Sequence, residues 1–213
     1  MSRRLGLTGP IGVGKDTVYR EVAALIAGHG TADSVRIGHL VIADLETALA
    51  QDPELDRTAL TRLRALRGQI GLSAYDAEGS VRQLDPGRRR SVLQWWGAVR
   101  RAERPDYWLT ALDQRVRAST ADLVCVPDVR TNAEGELLRI AGFLLVELWA
   151  PESVCAQRQR HRDGEQVSRA VHDQDERLTV GAARCHLRVE NVRSPRDAAL
   201  RIVEKLRHWD GEG

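Results

Sequence analysis

Residues 7–17 read LTGPIGVGKDT, and no other stretch limits the possible folds as tightly. Gly9, Gly14 and Lys15 match the phosphate-binding pattern G-x-x-x-x-G-K-[ST], in which the hydroxyl after the lysine ligates magnesium. The next position departs from it: Asp16 stands there, and the hydroxyl comes one place late, at Thr17. A loop of this kind requires a strand before it and a helix after it. RRLGLT is a short apolar strand. KDTVYREVAALIAGHG carries Val18, Val22, Leu25 and Ile26 at helical spacing, closed by Gly28 and Gly30.

Glycines at 9, 12 and 14 let backbone N–H groups converge on an anion with no Cβ in the way. The following helix turns its positive end to the same point. Lys15 adds a mobile charge for β- and γ-phosphates. Thr17 lies one residue into the helix, within reach of a more distal phosphate. Asp16 then takes the metal side of the loop, as a hard-oxygen ligand for magnesium directly or through water. It can also serve only to cap the helix N-terminus, and the two roles are compatible.

With 213 residues, the chain is long enough for one α/β domain, with or without a small lid. The net charge of +2 lacks the basic surplus that a nucleic-acid-binding module needs. No apolar run approaches a membrane span, and the N-terminus reads as a strand rather than a signal peptide. The three cysteines, Cys125, Cys155 and Cys185, include no C-x-x-C, which fits a reducing cytoplasm. Their spacing to His161, His172 and His186 is wrong for zinc. Lysine occurs only at 15 and 205, so a lysine inside the glycine loop carries more information than any of the abundant arginines.

Downstream, strands and helices alternate, as in a parallel sheet covered on both faces. A helix is expected from about His39 through VIADLETALA. Leu60, Leu63, Leu66 and Ile70 form a stripe suited to core packing or a dimer interface. Residues 71–87 read as a loop, RRRSVLQWWGAVRRAE and PDYWLTALDQRVRAS as helices. DLVCVPD and FLLVELWAP are buried strands, with a short helix NAEGELLRIAG between them. ESVCAQRQRHRDG and EQVSRAVHDQDERL are polar helices flanking Gly164. CHLRVEN is a last strand, and the closing helix is capped by Ser194 with Pro195 in its first turn.

Three further groups carry chemistry. Asp128 ends the strand LVCV, and Arg130 projects from the same sheet edge, where it can fork onto a phosphate or simply pair with Asp128. Arg158 and Arg162 share a helix face and can close over a transferring phosphoryl group; a solvated face is the alternative. Trp95, Trp96 and Trp108 lie among Arg90, Arg100 and Arg101, combining flat apolar faces with guanidinium groups; some of these rings can equally be core.

In this order, LTGPIGVGKDT, LQWWGAVRRAERPDYW, VPDVRTNAE and LRVEN resemble the deoxynucleoside monophosphate kinases of tailed bacteriophages over essentially the whole chain. The resemblance implies a P-loop nucleoside monophosphate kinase fold, α/β and three-layered, with a five-stranded parallel sheet. It implies magnesium, and ATP as phosphoryl donor to a deoxynucleoside monophosphate. It places Gly12, Val13, Gly14, Lys15, Asp16, Thr17 and Asn191 at ATP. Around the monophosphate it places Arg90, Gln94, Trp95, Gly97, Arg101, Trp108, Asp128, Arg130 and Glu134. Lys15, Arg130, Arg158 and Arg162 are the expected catalytic cations, and Asp16 and Asp128 the metal-side acids. The expected layout of 1–213 is a single kinase domain. Within it, 38–87 form the monophosphate-binding insertion, 88–150 the core with acceptor-site helices, 151–180 the lid, and 181–213 the last core strand and helix.

Two departures concern substrate choice. Ala98 and Val99 stand where the family often has Thr-Glu, and GHLVIADLE lacks the family's usual lysine. The loop and AQRQRHRDG also resemble dephospho-coenzyme A kinase, which normally has Ser-Thr after the loop lysine. A nucleotide-binding regulatory protein is the reading from another class. The expected setting is the cytoplasm, that of a host if the chain is of phage origin. Partners are small nucleotides without nucleic acid or membrane, and the chain is a monomer or homodimer.

Overall fold

The computed structural model describes residues 2–51, 86–163 and 184–211, with 86–91 and 162–163 described as backbone alone. The expected stripe at Leu60–Ile70, the loop at 71–85, and the helix EQVSRAVHDQDERL lie outside the described residues. In chain order, the elements are β1 (Arg3–Thr8), α1 (Lys15–Ala27), β2 (Ala32–Ser34), α2 (Ile37–Gln51), α3 (Pro86–Glu103) and α4 (Tyr107–Arg117). Then follow β3 (Leu123–Val126), α5 (Asn132–Ile140), β4 (Leu144–Trp149), α6 (Glu152–Asp163), β5 (Leu187–Glu190) and α7 (Pro195–Arg207).

The strands form one five-stranded parallel sheet in the order β2-β3-β1-β4-β5. Its centre is buried on both faces, which explains why β3 reads as the unbroken apolar run LVCV. On one face, Leu5 and Leu7 join Val18, Val22 and Ile26 of α1 and Ile202 and Leu206 of α7 in the core. On the other, a Cβ at Gly6 would meet Leu145, Val129 and Leu138, the last from α5. Period-two alternation therefore feeds two packing layers from one strand.

Local signals place several element ends. Ser194 Oγ accepts the N–H of Asp197, with Pro195 in the first turn of α7. Thr131 and Glu134 form a capping box at the start of α5. The strand β2 had no such signal. Its three residues, Ala-Asp-Ser, have no apolar face, and it is held as an edge by pairing with β3. Side chains reinforce that edge. The Asp122 carboxylate accepts the N–H of Thr31 at 2.7 Å, and Asp33 accepts from Ser119 Oγ at 2.7 Å.

The chain divides into two compact units, one of residues 1–36 with 113–213 and the other of residues 37–112. The first holds the sheet. The second has its own apolar cluster of Val41, Leu45, Val92, Trp96 and Trp108. Helix α3 packs against α2 within it. Among the described residues, no helix is long and apolar enough to cross a membrane.

Within this second unit the polar centre is Asp44. Its carboxylate accepts from Trp96 Nε1 at 2.7 Å, from Arg100 Nε at 2.9 Å, and from the Tyr107 hydroxyl. The Arg100 guanidinium lies 4.6 Å from the Trp96 ring centroid and 5.2 Å from that of Tyr107. Burial pushes the Asp44 carboxyl up, but the hydrogen bonds from Tyr107, Arg100 and Trp96 outweigh it and hold the pKa below the usual carboxylate range. A depressed carboxyl stabilises the fold above its unfolded pKa of about 3.9, and that contribution is lost as pH falls through the lower folded value. Asp44→Ala strands an indole N–H, a phenol and a guanidinium together. It should cost about 2–3 kcal/mol in urea unfolding at neutral pH, and the gap from the parent protein should narrow in acid. An unchanged urea midpoint would show that this hub contributes nothing.

Candidate functional site: a glycine loop at the sheet's switch point

Strand β1 lies beside β4, and the chain runs from β1 to β2 towards one edge of the sheet and from β4 to β5 towards the other. The loop after β1 is thus the topological switch point, where open α/β sheets bind ligands. Gly9, Gly12 and Gly14 have φ of 138°, 80° and 92°, a region that L side chains rarely enter. Space is equally restrictive. A Cβ on Gly9 would sit 2.2 Å from the Leu148 carbonyl oxygen, and one on Gly12 would sit 2.5 Å from that of Cys155.

The loop carbonyls are held from outside. Lys15 Nζ donates to Gly9 O at 2.7 Å and Pro10 O at 3.3 Å. Gln159 Nε2 donates to Ile11 O at 2.9 Å. Val13 O accepts from Asn191 Nδ2 at 2.8 Å and from Arg158 Nη1 at 3.2 Å. Gly14 is the N-cap of α1 and brings no side chain to it. The N-terminal N–H groups of α1 and the loop amides therefore face one region, a ready anion site.

Beside the loop, Lys15 Nζ is 3.7 Å from Asp128 Oδ1. Burial lowers the Lys15 pKa, Asp128 opposes that shift, and Arg130 adds to it. Arg130 grips Asp128 Oδ2 with Nη2 at 2.7 Å and Nε at 2.8 Å. Glu134 supports this turn: its Oε2 accepts the N–H of Arg130 at 2.7 Å and of Thr131 at 3.2 Å. Burial raises the Glu134 pKa, against the pull of these backbone N–H groups. Both Glu134 contacts are with the turn itself, so in this structure it positions Arg130.

Asp16 is 65% exposed and pairs with Arg36 Nη1 at 2.7 Å, while Thr17 Oγ1 accepts from Arg20 at 3.4 Å. Arg158 also donates to Asn191 O at 2.8 Å and Val192 O at 3.2 Å, so its guanidinium ties the loop to the turn after β5. Asn191, expected at ATP, is 1% exposed and donates its side-chain N–H to the loop carbonyl of Val13. The side chains of Arg90 and Arg162 lie outside those described.

In the second unit, Gln94 and Arg101 are exposed and Trp95 is half-buried. Trp108 is 4% exposed and its indole N–H is donated to the carbonyl of Gly97 at 3.0 Å. Its ring, like that of Trp96, belongs to the apolar cluster of its unit. The sequence reading missed Gln159, Arg36 and Asp44. Gln159 and Asp44 lie inside segments that were noted for other reasons, AQRQRHRDG and GHLVIADLE, and each of the three acts on a residue at least twenty positions away.

The three cysteines are free thiols. Among the described residues, no group of three or more His, Cys, Asp or Glu is placed to hold a metal by itself.

No protein-family model and no curated protein matches the chain. Solved structures do. A sugar kinase from Janibacter sp. HTCC2649 matches with a TM-score of 0.52 at 15% identity, over 99% of this chain and 97% of the other. The Thermus thermophilus protein TT1252 matches at 0.52 and 19% identity, over 99% of both chains. A gluconokinase from Sinorhizobium meliloti 1021 matches at 0.48 and 18%, over 98% of this chain and 97% of the other. The five-stranded parallel sheet with its flanking helices is an α/β fold that the first two of these structures share.

The loop geometry makes a direct prediction. Gly9→Ala combines an unfavourable φ with a backbone clash, so it should destabilise the protein by at least about 2 kcal/mol. Thermal unfolding measures the loss. An unchanged Tm would mean that β4 does not press on the loop as described.

Proposed function

We propose that this protein is a kinase that transfers the γ-phosphoryl group of ATP to a deoxynucleoside monophosphate. One observation carries the reading: an anion-receptive glycine loop whose lysine lies against an Asp128–Arg130 pair on the neighbouring strand. The loop amides and α1 N-terminus bind the donor phosphates. Lys15 follows the charge as it develops on the transferring group. Arg130 exchanges its contact with Asp128 for the acceptor phosphate, using the same planar fork.

Asp16 and Asp128 fit a magnesium ion by donor chemistry. Both offer hard oxygens, and both carboxylates already bind a cationic side chain. Magnesium would neutralise charge on the phosphate oxygens. The acceptor is a phosphate oxyanion and needs no strong general base, so catalysis is positioning and charge neutralisation. The acceptor contacts at Arg90, Gln94, Trp95, Gly97, Arg101 and Trp108, and the catalytic role of Arg162, belong to this proposal. So do a cytoplasmic setting and an expected monomer or homodimer.

ADP release coupled to NADH oxidation should report turnover with one or more of dTMP, dGMP, dCMP and dAMP. Turnover confined to dephospho-coenzyme A would select that acceptor, which the AQRQRHRDG segment favours. ATP binding without any turnover would point to a regulatory protein. Lys15→Ala should lower kcat by about a hundredfold or more, and a full-rate variant would remove the loop from the chemistry.

Asp16→Ser separates two roles. Serine suits a helix first turn, so an acid that only complements the helix dipole is replaceable at little cost. The metal-side reading expects a higher magnesium requirement for half-maximal rate. An identical magnesium titration would refute it.

A further inference from the structure

Helix α6 (Glu152–Asp163) does more than pass by the glycine loop. It meets the loop at Gly12, where the Cys155 carbonyl and the Gln159 side chain both lie within 3 Å of where a Cβ would be. From there Gln159 Nε2 donates to Ile11 O at 2.9 Å. One residue earlier on the helix, Arg158 donates to Val13 O at 3.2 Å, and Asn191 donates to the same oxygen at 2.8 Å.

A peptide plane carries its C=O and the following N–H on opposite sides. Fixing Ile11 O towards α6 therefore turns the Gly12 N–H away from the helix. Fixing Val13 O turns the Gly14 N–H away in the same manner. Without these donors, glycine at 12 and 14 would let the planes rotate at little cost. Arg158 has two further carbonyl acceptors and Asn191 backs it up at Val13, whereas Gln159 is the donor recorded for Ile11.

We infer that Gln159 is a positioning residue for donor-phosphate binding: its amide orients the 11–12 peptide so that the loop amides are preset for an anion. This rests on the kinase reading only in taking the loop as a phosphate site. Binding uses the loop directly, so it can be read without an acceptor or turnover.

The test compares full-length wild type with Gln159→Glu and Gln159→Met by calorimetric titration with tripolyphosphate and with ATP. Both variants keep the side chain's length and lose the amide donor. Affinity for both ligands should fall about tenfold, the scale of one net hydrogen bond, with Tm and far-UV circular dichroism close to wild type. The glutamate variant adds a readout that a packing role would not move. Protonated, its carboxyl regains an O–H donor to Ile11 O, so its affinity relative to wild type should recover as pH is lowered, while that of the methionine variant should not. Equal affinities in wild type and both variants would overturn this inference alone. Failure of the wild-type protein to bind either ligand would overturn the phosphate-site reading and this inference with it.

Discussion

The structure turns on the direction of the peptide groups between Gly9 and Gly14. A phosphate loop functions only if its N–H groups point inward, which requires its carbonyls to find partners outside. Here those partners come from three places: the loop's own Lys15, helix α6, and the turn after β5. The loop is also closely approached, by the Leu148 and Cys155 carbonyls at Gly9 and Gly12 and by the Asn191 amide at Gly14, so a Cβ at any of the three would collide. The central strand β1 supplies the rigid mount, buried between β3 and β4.

Charge in this arginine-rich chain divides into two kinds. Exposed pairs such as Arg117–Asp113 and Arg139–Glu136 are solvated and contribute little. Arg100 and Arg158 differ because each guanidinium is part-buried and meets a fixed, directional set of acceptors. Arg130 is as exposed as Arg139 and is set apart by Lys15, which shares its Asp128 partner. Arg100 joins Asp44 inside an aromatic frame, Arg158 bridges three carbonyls, and Arg130 forks onto Asp128. Counting arginines cannot separate these groups, since the difference lies in burial and acceptor geometry.

Much of the scaffold was legible along the chain. Apolar runs identified β1, β3 and β4; Ser194 and Pro195 placed the start of α7; and the glycine loop fell between strand and helix as its spacing requires. The edge strand β2 was illegible because its pairing depends on β3, some ninety residues later. Asp128 and Arg130 were visible as a strand-end acid and its neighbour; they pair with each other, and Asp128 lies 3.7 Å from Lys15. Asn191 donates its amide N–H to the loop, a contact 178 residues away in sequence that no local pattern encodes.

By itself the sequence determined the loop, its lysine, the alternation of strands and helices, and most helix starts, because these depend on spacing and on neighbours within a few residues. Tertiary structure decided what the polar side chains do. Gln159 holds the loop and Asp44 anchors an aromatic pair, while Trp108 lies within its unit's apolar cluster. Hydrogen-bond partners distant in sequence become neighbours only when packing brings their elements together, and burial then makes leaving a donor or acceptor unpaired costly.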